Sequence, residues 1–314
     1  SEMLKISAQA AAGMILTEGS FTAHLAILAR TLGIPMVALK DERIYRVREG
    51  EMLLIDAKQG TVYVNPDTEI VENYDALEAA GEKLEGLDEA YAAPAKTRDG
   101  HTVHLMANIN LLSELELASQ VQAEGVGLYR SEFPYLIRND FPSEEEQYLI
   151  YSKLLNEMSG KPVTFRTLDI GGDKMLSYVP SINEANPFLG LRAIRFSLRY
   201  PAVFELQLRA ILRAGTRGDV RIMFPFISSM DDFFQARNVM ESCIKDLQEE
   251  GVNFNGRPRV GVMIELPAAV EIAEELAGEA DFLSLGTNDL VQYMLAADRT
   301  NAEIADYYAP HHPG

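Results

Sequence analysis

The sequence predicts an α/β protein with a small N-terminal unit, a helical connector and a larger unit built on a parallel sheet. Three observations lead there. From Gly100 onward, short β-type runs alternate with longer helical stretches, the pattern of repeated strand–helix units. Upstream, residues 1–66 carry brief apolar runs and a hairpin signal around Gly60. Between the two, from Asp67 to Arg98, the composition shifts to Glu, Ala and Leu and reaches Ala92-Ala93-Pro94 near its end. A chain of 314 residues also suits about two domains at ~150 residues each.

Composition narrows the function classes. Hydrophobic residues make up 47%, enough for a sizeable core, which argues against disorder. Lys and Arg number 28 against 47 Asp and Glu, a net charge of −19. Such a surface repels phosphate backbones, so nucleic acid is not expected as a general partner. No apolar run is long enough for a membrane span, so no membrane insertion is expected. Cys243 is the only cysteine, which excludes an intramolecular disulfide framework and fits a reducing, cytoplasmic compartment. Residues 8–16 are apolar but short and follow Ser1-Glu2, without an initiator Met or a basic leader. They do not read as a signal peptide, and the chain is expected to be an interior piece of something longer.

Taken in order, Leu25-Ala26-Ile27-Leu28-Ala29 reads as helix, broken by Gly33-Ile34-Pro35 before a strand at 36–39. Residues 52–55 and 61–64 flank Gly60 as a hairpin. Residues 67–98 read as a polar helix or hinge-like connector. Strands are then expected at 103–109, 126–130, 163–170, 221–226, 259–265 and 282–286. Ser143-Glu144-Glu145-Glu146 is a capping box, Ser229 with Asp232 opens a second helix, and Pro267 suits the first turn of a third. The sheet is either doubly wound or part of a closed barrel; six units leave an eight-stranded barrel two short.

Charged residues crowd the strand ends. Arg130 closes one run, Arg166 and Asp169 lie late in the next, Glu265 closes another, and Asn288-Asp289 follow the last. In α/β folds that end of the sheet binds ligands. Any one of these charges alone would simply meet solvent; the set together points to a site. Several arginines at one mouth suit an oxyanion bound bidentately. Glu265 and Asp289 are hard oxygen donors suited to Mg²⁺ held with a phosphorylated substrate, although pairing with the arginines would also explain them. Gly171-Gly172-Asp173-Lys174 lacks Walker-loop spacing. His24 sits near an expected helix start, where a neutral imidazole can act as nucleophile and carry a phosphoryl group. A lone His beside an apolar helix is more often structural. His101, His104 and His311-His312 receive no function.

The motifs together resemble one family. GSFTAHLAILARTLGIPMV around His24 is similar to the phosphohistidine segment of enzymes that use phosphoenolpyruvate. GVGLYRSEF (125–133), FRTLDIGGDK (165–174), NPFLGLRAIR (186–195), QLRAILRA (207–214), GVMIELPAA (261–269) and LGTNDLVQYMLAADR (285–299) resemble enzyme I of the phosphoenolpyruvate-dependent phosphotransferase system, in the same order along nearly the whole chain. Pyruvate, phosphate dikinase and phosphoenolpyruvate synthase share the plan but match these runs less well. Gly19-Ser20 and residues 133–138 lean towards the nitrogen-regulatory type, as against the sugar-transport type.

The resemblance implies a phosphohistidine, swivelling domain (1–66), a helical linker (67–98) and a phosphoenolpyruvate-binding (β/α)₈ TIM-type barrel (99–314) without its last two strands. It makes His24 the phosphoryl acceptor. It assigns Arg130, Arg166, Lys174, Arg192, Asn288 and Arg299 to the substrate, and Glu265 and Asp289 to Mg²⁺. The implied partners are phosphoenolpyruvate and a histidine phosphocarrier protein, with a homodimer formed through the barrel domain of the full-length parent. The family also carries a carrier-recognising helical domain and a Gly-x-Cys-Gly-Glu motif whose cysteine protonates the enolate carbon. Neither occurs in these 314 residues, so the chain alone is expected to be inactive. Two other readings compete: a dikinase-type fragment, and a non-catalytic module that senses phosphoenolpyruvate.

Overall fold

The computed structural model describes residues 12–17, 34–39, 41–84, 95–136, 140–171 and 184–314. The chain divides into two compact units, residues 1–87 and 88–314.

In the first unit, β1 (Met14–Leu16) pairs in parallel with β2 (Met36–Ala38). The expected hairpin is present as β3 (Leu53–Asp56) and β4 (Thr61–Val64), antiparallel across a turn that ends on Gly60, φ +70°. The helix α1 (Thr68–Leu84) follows. Its first turns are anchored: Ile70 is buried, and Tyr74 Oη donates to Asp56 Oδ2 at 2.7 Å while lying 3.3 Å from Tyr63 Oη. Burial pushes the Tyr63 hydroxyl up to about 12, so these phenols are hydrogen-bonding groups at neutral pH. The stretch expected as a polar connector therefore begins as a helix docked on the hairpin.

The second unit opens with a two-stranded antiparallel pair, β5 (Ala95–Lys96) and β6 (Thr102–Val103). Among the described residues its main sheet has six strands: β7 (Ala107–Ile109), β8 (Val126–Arg130), β9 (Val163–Arg166), β10 (Val220–Phe224), β11 (Arg259–Ile264) and β12 (Phe282–Leu285). Every neighbouring pair is parallel and spatial order follows chain order. That is the order of a (β/α) barrel; a doubly wound sheet reverses direction at a switch point.

The strand expected at 103–109 is two elements in different sheets. The break falls where His104 and the Leu105 N–H both turn to the Glu124 carboxylate, and Leu105 is exposed. The other five expected strands all occur, within a few residues at their ends. The third, expected to 170, ends at Arg166, and residues 167–170 continue as irregular backbone.

Between the strands lie α2 (Glu114–Gln120), α3 (Phe133–Leu136), α4 (Glu144–Glu157), α5 (Ala193–Arg199), α6 (Pro201–Ala214), α7 (Met230–Glu249), α8 (Pro267–Glu271) and α9 (Ala273–Glu279), and α10 (Thr287–Leu295) follows the last strand. The capping box at Ser143 is complete, with Glu146 N donating to Ser143 Oγ and Ser143 N donating to Glu146 Oε2. Ser229 caps α7 by accepting from Asp232 N. The core forms where β8, β9 and β10 meet α4, α6 and α7. Tyr129, Tyr151 and Phe165 pack edge to face there, and Phe204 and Phe233 flank Phe224. Such strands are covered on both faces, which is why they read as continuous apolar runs.

Among the described residues, no helix is long and apolar enough to cross a membrane.

Candidate functional site

The site stands on the ends of β8 to β12. Arg130 and Arg166 are register partners at the last positions of β8 and β9, so two arginines leave the sheet side by side. Arg166 Nη2 binds Glu132 at 2.6 Å and its Nη1 binds Asp169 at 2.9 Å. Asp169 reaches onward to Arg192 Nη2 at 3.1 Å, which also binds Asp289 Oδ2 at 3.1 Å. Asp289 Oδ1 holds Arg299 Nη1 at 3.0 Å. One chain of ion pairs thus runs Glu132–Arg166–Asp169–Arg192–Asp289–Arg299, and all its members except Arg299 are nearly inaccessible to water.

Burial alone would weaken the charge on Arg166 and Arg192. The neighbouring carboxylates outweigh it, and both guanidinium groups are held above their ordinary range.

Glu265, just beyond β11, is 2% exposed, and its Oε1 accepts from the Phe226 N–H at 2.6 Å. Burial, then the charges of Asp169 and Asp289, pushes this carboxyl up to about 8 despite Arg166. Phe226 itself has φ +60°, a conformation uncommon for a side chain of its size. Its ring lies under the guanidinium carbons of Arg192 and Arg195, at 4.6 and 5.0 Å. Tyr293 Oη accepts from Arg192 Nη1 at 3.0 Å and donates to the Phe188 carbonyl at 2.6 Å.

Two glycines let this packing close. At Gly286 a Cβ would come within 2.8 Å of Glu265 Cβ and Oε2. Gly171 has φ +104°, and a Cβ there would meet Arg192 and the Leu191 carbonyl at 2.6 Å.

Of the residues expected from the sequence, Arg166, Arg192, Glu265, Asp289 and Arg299 come together here. Arg130 adjoins them through its register and forms no ion pair among the described residues. Asn288 lies in the first turn of α10 beside Asp289; its carbonyl accepts from Tyr308 Oη at 3.0 Å. His24 and Lys174 lie outside the described residues. Cys243, on α7 between the fourth and fifth strands of the sheet, is 1% exposed, and burial pushes its thiol up to about 12. It is no proton donor to this site.

Sequence reasoning missed Glu132, Phe226 and Tyr293. Glu132 had a signal, two residues after Arg130 at a strand exit; the other two carried none.

Among the described residues, no group of three or more His, Cys, Asp or Glu side chains is arranged to hold a metal ion. Glu265 and Asp289 are hard oxygen donors of the type that hold magnesium one or two at a time, with substrate oxygens and water completing its shell. Two further atoms bear on a ligand: the Nε groups of Arg166 and Arg192 are buried with no hydrogen-bond partner among the described residues, a condition that calls for explanation in a buried donor.

A parallel sheet in chain order, with arginines and acids gathered where its strands end, is the arrangement in which α/β proteins bind ligands. Residues 85–314 match the PEP-binding domain of PEP-utilising enzymes, and residues 1–60 match the mobile domain of the same enzymes. The chain belongs to the PEP-utilising enzyme family. Its relatives include the phosphoenolpyruvate-protein phosphotransferases of Geobacillus stearothermophilus (42% identical over 315 residues), Haemophilus influenzae (41% over 315 residues) and Priestia megaterium (44% over 299 residues). The alignments cover 100%, 100% and 94% of this chain but 54%, 55% and 52% of the relatives. The chain spans about half the length of the curated relatives it matches.

Proposed function

We propose that this chain supplies the phosphoryl-accepting and phosphoenolpyruvate-binding parts of a phosphoenolpyruvate–protein phosphotransferase. The observation that carries the reading is the pair of buried arginines, Arg166 and Arg192, whose Nε–H groups have no partner among the described residues, beside a third arginine, Arg130, that forms no ion pair among them. An anion with many acceptor oxygens satisfies all three, and phosphoenolpyruvate brings both phosphate and carboxylate. Arg130, Arg166, Arg299 and Asn288 would hold the phosphate, with Lys174 and Arg192 also lining the site. Glu265 and Asp289 would hold Mg²⁺, which when bound supplies charge neutralisation at the phosphoryl oxygens.

In the reaction, a neutral His24 ring nitrogen forms a bond to phosphorus as the bridging P–O bond breaks. The enolate left behind takes a proton on carbon to give pyruvate. Phosphohistidine then passes its group to a histidine phosphocarrier protein. Residues 67–98 would let the His domain approach the mouth and leave it again. In the whole protein the sheet would close as an eight-stranded barrel, and the parent would form a homodimer through that domain and work in the cytoplasm.

The test uses the full-length protein. Phosphoenolpyruvate with Mg²⁺ should label His24 with an acid-labile, base-stable phosphoramidate, and His24→Ala should abolish labelling while binding persists. Phosphate recovered on His101 or His104, or equal affinity with Mg²⁺ and with chelator, would overturn the assignment.

A further inference from the structure

Behind the arginines lies a second set of buried polar groups that touch no site charge directly. Gln207 sits on α6 in line with Phe204, Leu208 and Ile211, and is 1% exposed. A buried amide on an apolar stripe costs stability unless it is bonded. This one is fully used. Its Oε1 accepts from Leu168 N at 2.9 Å, and its Nε2 donates to Ser131 Oγ at 2.9 Å and Tyr151 Oη at 3.4 Å. Ser131 Oγ donates in turn to the Arg166 carbonyl at 2.8 Å. Tyr151 Oη donates to Gln147 Oε1 at 3.0 Å, which also accepts from Tyr135 Oη at 2.9 Å.

The direction of every bond is forced. A backbone N–H only donates and a carbonyl only accepts, so Leu168 fixes Gln207 Oε1, and the Arg166 carbonyl claims the Ser131 proton. Ser131 must therefore accept from Gln207. The amide thus grips the chain on both sides of Thr167, directly at Leu168 and through Ser131 at Arg166. Ser131 itself lies between Arg130 and Glu132.

We propose that Gln207 is a positioning residue: it sets the two neighbouring strand exits that carry Arg130 with Glu132 and Arg166 with Asp169, and so sets affinity for the substrate's anionic groups without touching them. This rests on the reading that the mouth binds phosphoenolpyruvate. Displacement of a binding group by even a fraction of an ångström is costly at such a site.

Gln207→Glu keeps the shape but replaces the two Nε2 donors with an acceptor. Once ionised, that group only accepts, so Ser131 must turn its proton to it and release Arg166; the titration is run at a pH where it is ionised. In the full-length protein, phosphoenolpyruvate affinity measured by titration should fall about tenfold. The Arg166 Nε–H resonance should shift while that of Arg299 stays. Ser131→Ala alone should weaken binding several-fold, and Ser131→Ala with Gln207→Glu should bind no worse than Gln207→Glu, because both cut the same link. Additive losses, or affinity within twofold of the parent in both single variants, would overturn the proposal, whatever the change in melting temperature. If Gln207→Glu fails to fold, Ser131→Ala decides. If the parent itself binds no phosphoenolpyruvate, the function proposed above fails, and Gln207→Met then tests the hold alone: the Leu168 amide should exchange with solvent at least tenfold faster, and unchanged exchange would overturn it.

Discussion

Glu265 is a carboxylic acid placed where a proton is favoured. Folded, it titrates near pH 8; the ordinary value is 4.5. Between those limits the folded state binds more protons than the unfolded one, so this group's contribution to stability is complete below about pH 4.5 and is lost as pH rises towards 8. Urea unfolding of the metal-free protein should show that downward slope. Glu265→Gln, which mimics the protonated form and can still accept from Phe226, should flatten it and be more stable at pH 8 by roughly 1–3 kcal/mol; an unchanged slope would show that another group is responsible. At this scale the sequence was informative about charges and silent about their supports. Arg130, Arg166 and Glu265 stand at strand ends and Asp289 in the helical turn that follows one, where residue type and position together betray a site. Gln207 and Gln147 were also visible in principle, as single polar residues at buried positions of otherwise apolar helical stripes. Phe226 was not, because neither its φ of +60° nor its place beneath two guanidinium groups leaves a mark in local composition.

Among the elements, α4 is the one whose start was best announced. Ser143 and Glu146 exchange both bonds of a capping box, and the helix carries Gln147 and Tyr151 into the network behind the arginines. Ser143→Ala should cost about 1 kcal/mol, seen as a lower urea midpoint with an unchanged denaturant slope; a variant as stable as the parent would show that the box adds nothing here. The strands from β8 to β11 were legible because burial on two faces forces apolar runs, and parallel order was legible because each run is followed by a helix-length stretch. The division of 103–109 was not: it is set by Glu124, some twenty residues downstream, which captures His104 and the Leu105 N–H. Nor was the docking of α1 legible. Many of its residues are polar, and burial of Ile70 with the hydrogen bonds of Tyr74 to Asp56 and Tyr63 anchors its first turns.

On the scale of the whole molecule, β12 forms one edge of the sheet, and Leu283 and Leu285 on it are exposed, Leu285 by 70%. Apolar edge strands recruit other chains unless charge or cover prevents it. A preparation of residues 1–314 should therefore self-associate in sedimentation velocity, and Leu285→Lys should shift it towards monomer. A parent that stays monomeric at high concentration would refute this.

The other property of the sheet concerns synthesis. Each strand lies beside the one made just before it, from Val126 against Ala107 to Phe282 against Gly261. A ribosome delivers the strands in the order in which the sheet needs them, so the sheet can lengthen as the chain emerges, each new strand finding its neighbour already made. In a doubly wound sheet, an early strand must wait for a neighbour translated much later. Here β7 is one edge from the start and the newest strand is always the other, so one of the two places vulnerable to a wrong partner travels along the nascent chain with translation.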